Sequence, residues 1–100
     1  MHLIVDSTSA SLQDEHNFRE LDLTLAPGLS INRLQQTLAT VLPESEVHSD
    51  HVWVPVDSLR ELGHPLDATW LEAFAGMIDY AASYGWTRHE GREVRLHVTA

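Results

Sequence analysis

The sequence predicts an α+β domain in which two main helices cover one face of a sheet of about four mixed or antiparallel strands. Apolar residues alternate in several short segments and recur every three to four residues in two longer ones. In chain order these segments predict strand, strand, helix, strand, short helical turn, helix and strand. Because strand–helix–strand occurs twice, we expect a right-handed crossover and a two-layer sandwich. The 100 residues suit a single domain, 1–100.

Four segments have the composition of strands. Residues 2–6 form a short apolar run, and residues 18–26 alternate apolar and polar side chains. Residues 46–54 are rich in valine, and residues 94–98 alternate again. The most polar part of the chain, residues 7–17, lies between the first two segments, and we expect it to be a mobile loop.

The two main helices have recognisable ends. The first follows Ser30, an N-cap residue type, and stops before Pro43. The second follows Asp67, spans about residues 68–84 and ends at Gly85, where a left-handed residue is expected.

Further packing is expected around the second helix. Trp70 and Tyr84 fall on its apolar side, which predicts that both lie in the core. Leu66, just before the N-cap, is expected to pack on Leu71 as a hydrophobic staple. A short helical turn is expected over residues 58–62.

The charge balance excludes several classes of function. The chain has 15 acidic and 6 basic residues, which gives a net charge of −9 with neutral histidines. Such a surface repels phosphates, so we expect neither nucleic-acid binding nor adhesion to anionic membranes. No apolar run approaches the roughly 20 residues of a membrane span, and no signal peptide is visible. We therefore expect a soluble, cytoplasmic protein, and the absence of cysteine removes disulfides and thiolate sites.

The segment 46–54 carries apolar groups on both sides if it forms one strand. If the helices cover the side of Val52 and Val54, the side of Trp53 must face a partner subunit or a ligand cleft. The residues expected on this second side are Trp53, His51, Ser49 and Val47. This inference is the main functional prediction from the sequence.

Seven histidines raise the question of acid–base chemistry. The catalytic candidates are His51 with Asp50 or Asp57, near the end of the strand and beneath the Trp53 ring. If a metal binds, His48 and His51 are the candidate ligands, but in a single strand they point to opposite sides, so we expect no metal. The five glycines form no phosphate-binding loop, and no cofactor is expected.

Two functional hypotheses follow. The first is a small acidic homodimer that acts as a binding or assembly module. In this dimer the second sheet face is buried against the partner subunit. The alternative is a small-molecule enzyme that uses histidine and aspartate as acid–base groups in a cleft beside Trp53. The sequence resembles no family closely enough to choose between them.

Overall fold

The computed structural model describes residues 1–99 of the chain. Within that range it contains seven strands and three helices. In chain order they are β1 (His2–Val5), β2 (Ala10–Gln13), β3 (Asp22–Leu25), α1 (Ile31–Val41), β4 (Glu46–His48), β5 (His51–Pro55), α2 (Val56–Leu62), α3 (Ala68–Ser83), β6 (Thr87–Arg88) and β7 (Glu93–Thr99). The α+β class is confirmed, and the sheet is larger than the four strands expected.

All seven strands belong to one open, mixed sheet. The strand order is β2-β1-β3-β7-β5-β4, and β6 pairs with β7 outside this path. The β1–β3 and β3–β7 pairs are parallel, whereas the remaining pairs are antiparallel. Strand β7 therefore pairs with β3, β5 and β6. Its side chains lie near the middle of the sheet.

The prediction of one strand over residues 46–54 is wrong, because the segment is a hairpin. Strands β4 and β5 pair antiparallel, and Ser49 in the connecting turn has a left-handed φ of 55°. Val47 lies directly opposite Val52 in this hairpin, and cross-strand neighbours share a face. Val47 is therefore on the side of the helices and not, as expected, on the side of Trp53.

The polar segment 7–17 is not a loop throughout. Residues 10–13 form β2, an edge strand that pairs with β1 and places Leu12 opposite Leu3. Its alternate side chains are half-buried, so β2 adds one apolar row to the core while its other side stays polar. The next predicted strand, residues 18–26, is confirmed only over 22–25.

The helix ends agree largely with the sequence. The side chain of Asp67 accepts hydrogen bonds from the backbone N–H groups of Thr69 and Trp70, at 3.0 and 3.1 Å. Gly85 is left-handed, with φ of 76°, and the chain turns there. Ser30 occupies the N-cap of α1, but its side chain makes no capping hydrogen bond. Within residues 1–99, no helix combines the length and the apolar character needed to cross a membrane.

One apolar core fills the space between the helices and the sheet. Its buried side chains include Leu34 and Leu38 of α1, Leu59 of α2 and Phe74 of α3. The sheet contributes Leu3, Val5, Leu23, Val52, Val54, Val94 and Leu96. Because strand side chains alternate, the residues between these lie on the opposite face of the sheet.

Two expected core contacts around α3 are absent. Leu66 is 99% exposed, so it makes no hydrophobic staple with Leu71. Tyr84 is also exposed, because it lies beyond the last turn of α3, where it stacks on Trp86. Trp70 is buried, as predicted.

Candidate functional site

The face of the sheet opposite the core carries a row of ionisable side chains across five strands. In the strand register His2 lies beside Asp22, Asp22 beside His97, His97 beside His51, and His51 beside His48. Neighbouring strands lie about 5 Å apart, so these side chains are adjacent. His2 Nδ1 is 2.6 Å from Asp22 Oδ1. The strand order thus gathers four histidines from three separate parts of the sequence.

Asp50 joins this row from the turn between β4 and β5. Its Oδ1 is 3.3 Å from His51 Nδ1, and its Oδ2 is 3.9 Å from His97 Nδ1. Its backbone carbonyl accepts a 2.8 Å hydrogen bond from the N–H of Val98, which fixes the turn against β7. The hydrogen bond from His51 is the main reason why the pKa of Asp50 lies below its ordinary value. One ionised carboxylate therefore faces the Nδ1 atoms of two imidazoles.

A cavity of about 500 Å³ opens beside this cluster. Its lining residues are Leu21, Asp50, His51, Trp86, Arg95 and His97. The backbone N–H of Arg95 donates to the carbonyl of Trp86 at 2.8 Å, which positions the two side chains as neighbours. The guanidinium lies 6.0 Å from the centroid of the Trp86 ring. Among residues 1–99 no carboxylate pairs with Arg95.

Trp53 lies on the same sheet face but does not line this cavity. Arg88 covers it, with the guanidinium carbon 4.6 Å from the ring centroid. Arg88 is held there by Glu46 and Glu93, each with a carboxylate oxygen 2.8 Å from Nη2. Trp53 is thus opposite the core, as the alternation predicts, while Trp86 supplies the aromatic wall of the cavity.

The other candidates from the sequence lie apart from the cavity. Asp57 is in the first turn of α2, where it forms an ion pair with Arg60. Ser49 is exposed in the hairpin turn. The expectation that His48 and His51 point to opposite sides is wrong, because the hairpin stacks their rings with centroids 6.3 Å apart. In the described part of the chain, they gather no third ligand for a metal.

Sequence reasoning missed Trp86, Arg95 and His97 as site residues. The available signal was the alternation in the last strand, which separates Arg95 and His97 from the apolar Val94 and Leu96. That pattern shows which side chains share a face, but it does not show that Asp50 and Trp86 lie next to them.

Chemically, the cavity offers a guanidinium without a carboxylate partner among residues 1–99, an indole wall, two imidazoles and one carboxylate. This set suits a planar ligand with a negative charge and at least one hydrogen-bond donor. No protein-family model, curated protein or solved structure matches the chain.

Proposed function

We propose that the chain is a binding module that takes a small aromatic carboxylate into the cavity on the uncovered sheet face. The observation that carries this proposal is Arg95, whose guanidinium lies beside Trp86 without a carboxylate partner among residues 1–99. A guanidinium binds a carboxylate through two parallel hydrogen bonds, and an indole ring stacks on an aromatic ligand. A few convergent polar groups beside an apolar wall are typical of small-molecule sites.

The polar groups around Arg95 define the ligand further. His51 and His97 can donate to an anion, whereas the ionised Asp50 accepts from a ligand hydroxyl or amine. The overall charge of −9 disfavours polyanions, because they meet long-range repulsion before they reach the cavity. These features favour a small hydroxy- or amino-substituted aromatic acid over a nucleic acid.

The test is a titration with aromatic carboxylates such as salicylate and anthranilate, followed by calorimetry. The Arg95→Gln variant should bind at least about tenfold more weakly, as expected for the loss of a charge-assisted pair. Arg33→Gln is the matched control, because Arg33 is exposed on α1 and lies outside the cavity. Equal affinities in the two variants, or no binding by the wild-type chain, would refute the proposal.

A homodimer remains part of the proposal, and a row of exposed aromatic rings supports it. Tyr80 and Tyr84 are 60% and 56% exposed, and their ring centroids are 5.0 Å apart. Tyr84 stacks in turn on Trp86 at 4.8 Å. Aromatic residues are enriched in the cores of protein interfaces. This row is a better dimer contact than Trp53, whose ring is covered by Arg88.

Sedimentation at micromolar concentration tests the dimer. The wild-type chain should sediment as a dimer, and the Tyr80→Ser/Tyr84→Ser variant should sediment as a monomer. A wild-type monomer would remove the dimer from the proposal and leave ligand binding to be judged separately. The cytoplasm is the compartment we propose on composition alone.

The second candidate is an acid–base enzyme acting in the same cavity. The observation that favours it is Asp50, whose carboxylate is hydrogen-bonded to His51 Nδ1 and lies 3.9 Å from His97 Nδ1. A carboxylate that holds one nitrogen of an imidazole leaves the other nitrogen to exchange a proton with a substrate. Incubation of each bound carboxylate with the protein, followed by mass spectrometry, tests this candidate. Turnover that is lost in His51→Asn would support it, and ligand recovered unchanged would exclude it for that ligand.

A further inference from the structure

Three metal-ligating side chains, none of which lines the cavity, lie close together elsewhere in the fold. Glu15 and His16 lie in the segment after β2, and His64 lies in the connection between α2 and α3. One ligand atom from each side chain lies within 4.8 Å of the other two. His64 Nε2 is 3.4 Å from Glu15 Oε1, and the two imidazole rings stack with centroids 5.2 Å apart.

The buried indole of Trp70 holds both segments in place. Trp70 Nε1 donates a 2.8 Å hydrogen bond to the backbone carbonyl of Glu15. The His64 ring lies edge-on to the same indole, with centroids 5.6 Å apart. The N–H of Asn17 donates to the carbonyl of Asp14 at 3.0 Å and closes the turn around residues 15 and 16. The cluster therefore packs against the core, although Glu15 and His64 are 49 residues apart.

We propose that Glu15, His16 and His64 form a binding site for Zn²⁺. In a tetrahedral zinc site with bonds near 2.1 Å, neighbouring ligand atoms lie about 3.4 Å apart. Glu15 and His64 already have this separation. The ligand atom of the exposed His16 side chain lies within 4.8 Å of the other two, and a change of side-chain rotamer would bring it to this separation.

The chemistry of the donors favours zinc over the common hard cations. Two imidazoles and one carboxylate match the nitrogen and oxygen ligands of zinc, whereas Mg²⁺ and Ca²⁺ prefer oxygen alone. Three protein ligands leave a fourth position for water. The partly buried carboxylate of Glu15 supplies the negative charge that stabilises the bound cation.

The pair His48 and His51 provides a contrast within the same chain. Their rings also stack, but the nearest carboxylate, Glu46, is engaged by Arg88. In the part of the chain that the structure describes, no third ligand joins them. The two histidine pairs therefore allow a matched comparison.

Calorimetric titration of the untagged full chain with zinc chloride tests the site. The wild-type chain should bind one Zn²⁺, and His16→Ala and His64→Ala should each bind more than about 100-fold more weakly. This expectation follows because loss of an outer-shell partner alone costs roughly 10- to 100-fold. The control, His48→Ala/His51→Ala, should retain the wild-type affinity.

A thermal-melting series separates loss of the site from loss of the fold. Zinc should raise the Tm of the wild-type chain and of the control, because a ligand that binds only the folded state stabilises it. His16 is exposed, so His16→Ala should melt like the metal-free wild-type chain and show no rise with zinc. Zinc binding that survives in His16→Ala and His64→Ala, or is lost only in the control, would overturn the proposal. This outcome is independent of carboxylate binding in the cavity.

Discussion

Gly63 lies so close to the indole of Trp70 that a methyl group at Gly63 would overlap the six-membered ring. Trp70 is only 2% exposed and stacks on Phe74, with ring centroids 5.0 Å apart. The close approach of the ring therefore requires glycine where α2 ends.

The Gly63→Ala substitution should destabilise the fold. We expect a loss of about 1–3 kcal/mol in the free energy of unfolding, because the added methyl group displaces a well-packed ring. Gly76→Ala is the control, since Gly76 lies within α3 with open space around it. The Gly76→Ala variant should raise the free energy of unfolding by up to about 1 kcal/mol, because alanine has the higher helix propensity. Urea unfolding measures both, and equal effects in the two variants would contradict the packing argument.

The two helix N-caps should differ in their contribution to stability. Asp67→Ala removes an acceptor for two backbone N–H groups, so it should lower the free energy of unfolding by about 1 kcal/mol. Ser30→Ala removes a side chain that makes no capping hydrogen bond, so its effect should stay within about 0.5 kcal/mol. Urea titrations monitored by circular dichroism give both values. A Ser30→Ala loss as large as that of Asp67→Ala would show that the caps act alike.

Arg88→Met should lower the free energy of unfolding by about 1–2 kcal/mol. The substitution removes a cation–π contact with Trp53 and two charge-assisted hydrogen bonds to Glu46 and Glu93. Arg88→Lys should recover only part of this loss, since an ammonium cannot bridge two carboxylates in the same planar geometry. Arg33→Met, at an exposed position on α1, controls for the loss of one positive charge. Thermal and urea unfolding of the three variants test the contact, and equal losses in Arg88→Met and Arg33→Met would refute it.

Glu46 should make stability depend on pH in the acid range. Hydrogen bonds from Arg88 and then His48 lower the pKa of Glu46 below its ordinary value of 4.5. A lowered pKa in the folded state means that stabilisation is complete above about pH 4.5 and disappears as the pH falls through the folded-state pKa.

The measurement is the midpoint of urea unfolding between pH 7 and pH 3. The Glu46→Gln variant should be less stable than the wild-type chain at pH 7, and the difference should shrink as the pH falls. Glu72→Gln serves as the control, because Glu72 is an exposed residue of α3. A wild-type advantage over Glu46→Gln that persists unchanged at pH 3 would rule out the proposed linkage.

The position of Trp53 shows how far sequence reasoning extends. Alternation along the strand predicts that Trp53 lies opposite Val52 and Val54, and the structure places it there. The valine-rich pattern hides the turn at Ser49, so it predicts one strand where a hairpin forms, and it assigns Val47 to the wrong face. The polar side chains of the edge strand β2 resemble those of a loop, so the sequence does not predict this strand.

The sequence by itself determined the α+β class, the two main helices and the apolar side of the last strand. These features depend on periods and end residues within a few turns of helix or a few residues of strand. Only the tertiary structure decided that Asp50, Trp86 and His97 share a cavity, and that His16 meets His64. These contacts depend on the strand order and on the packing of Trp70. Both bring together residues that are distant in the sequence and that no local pattern connects.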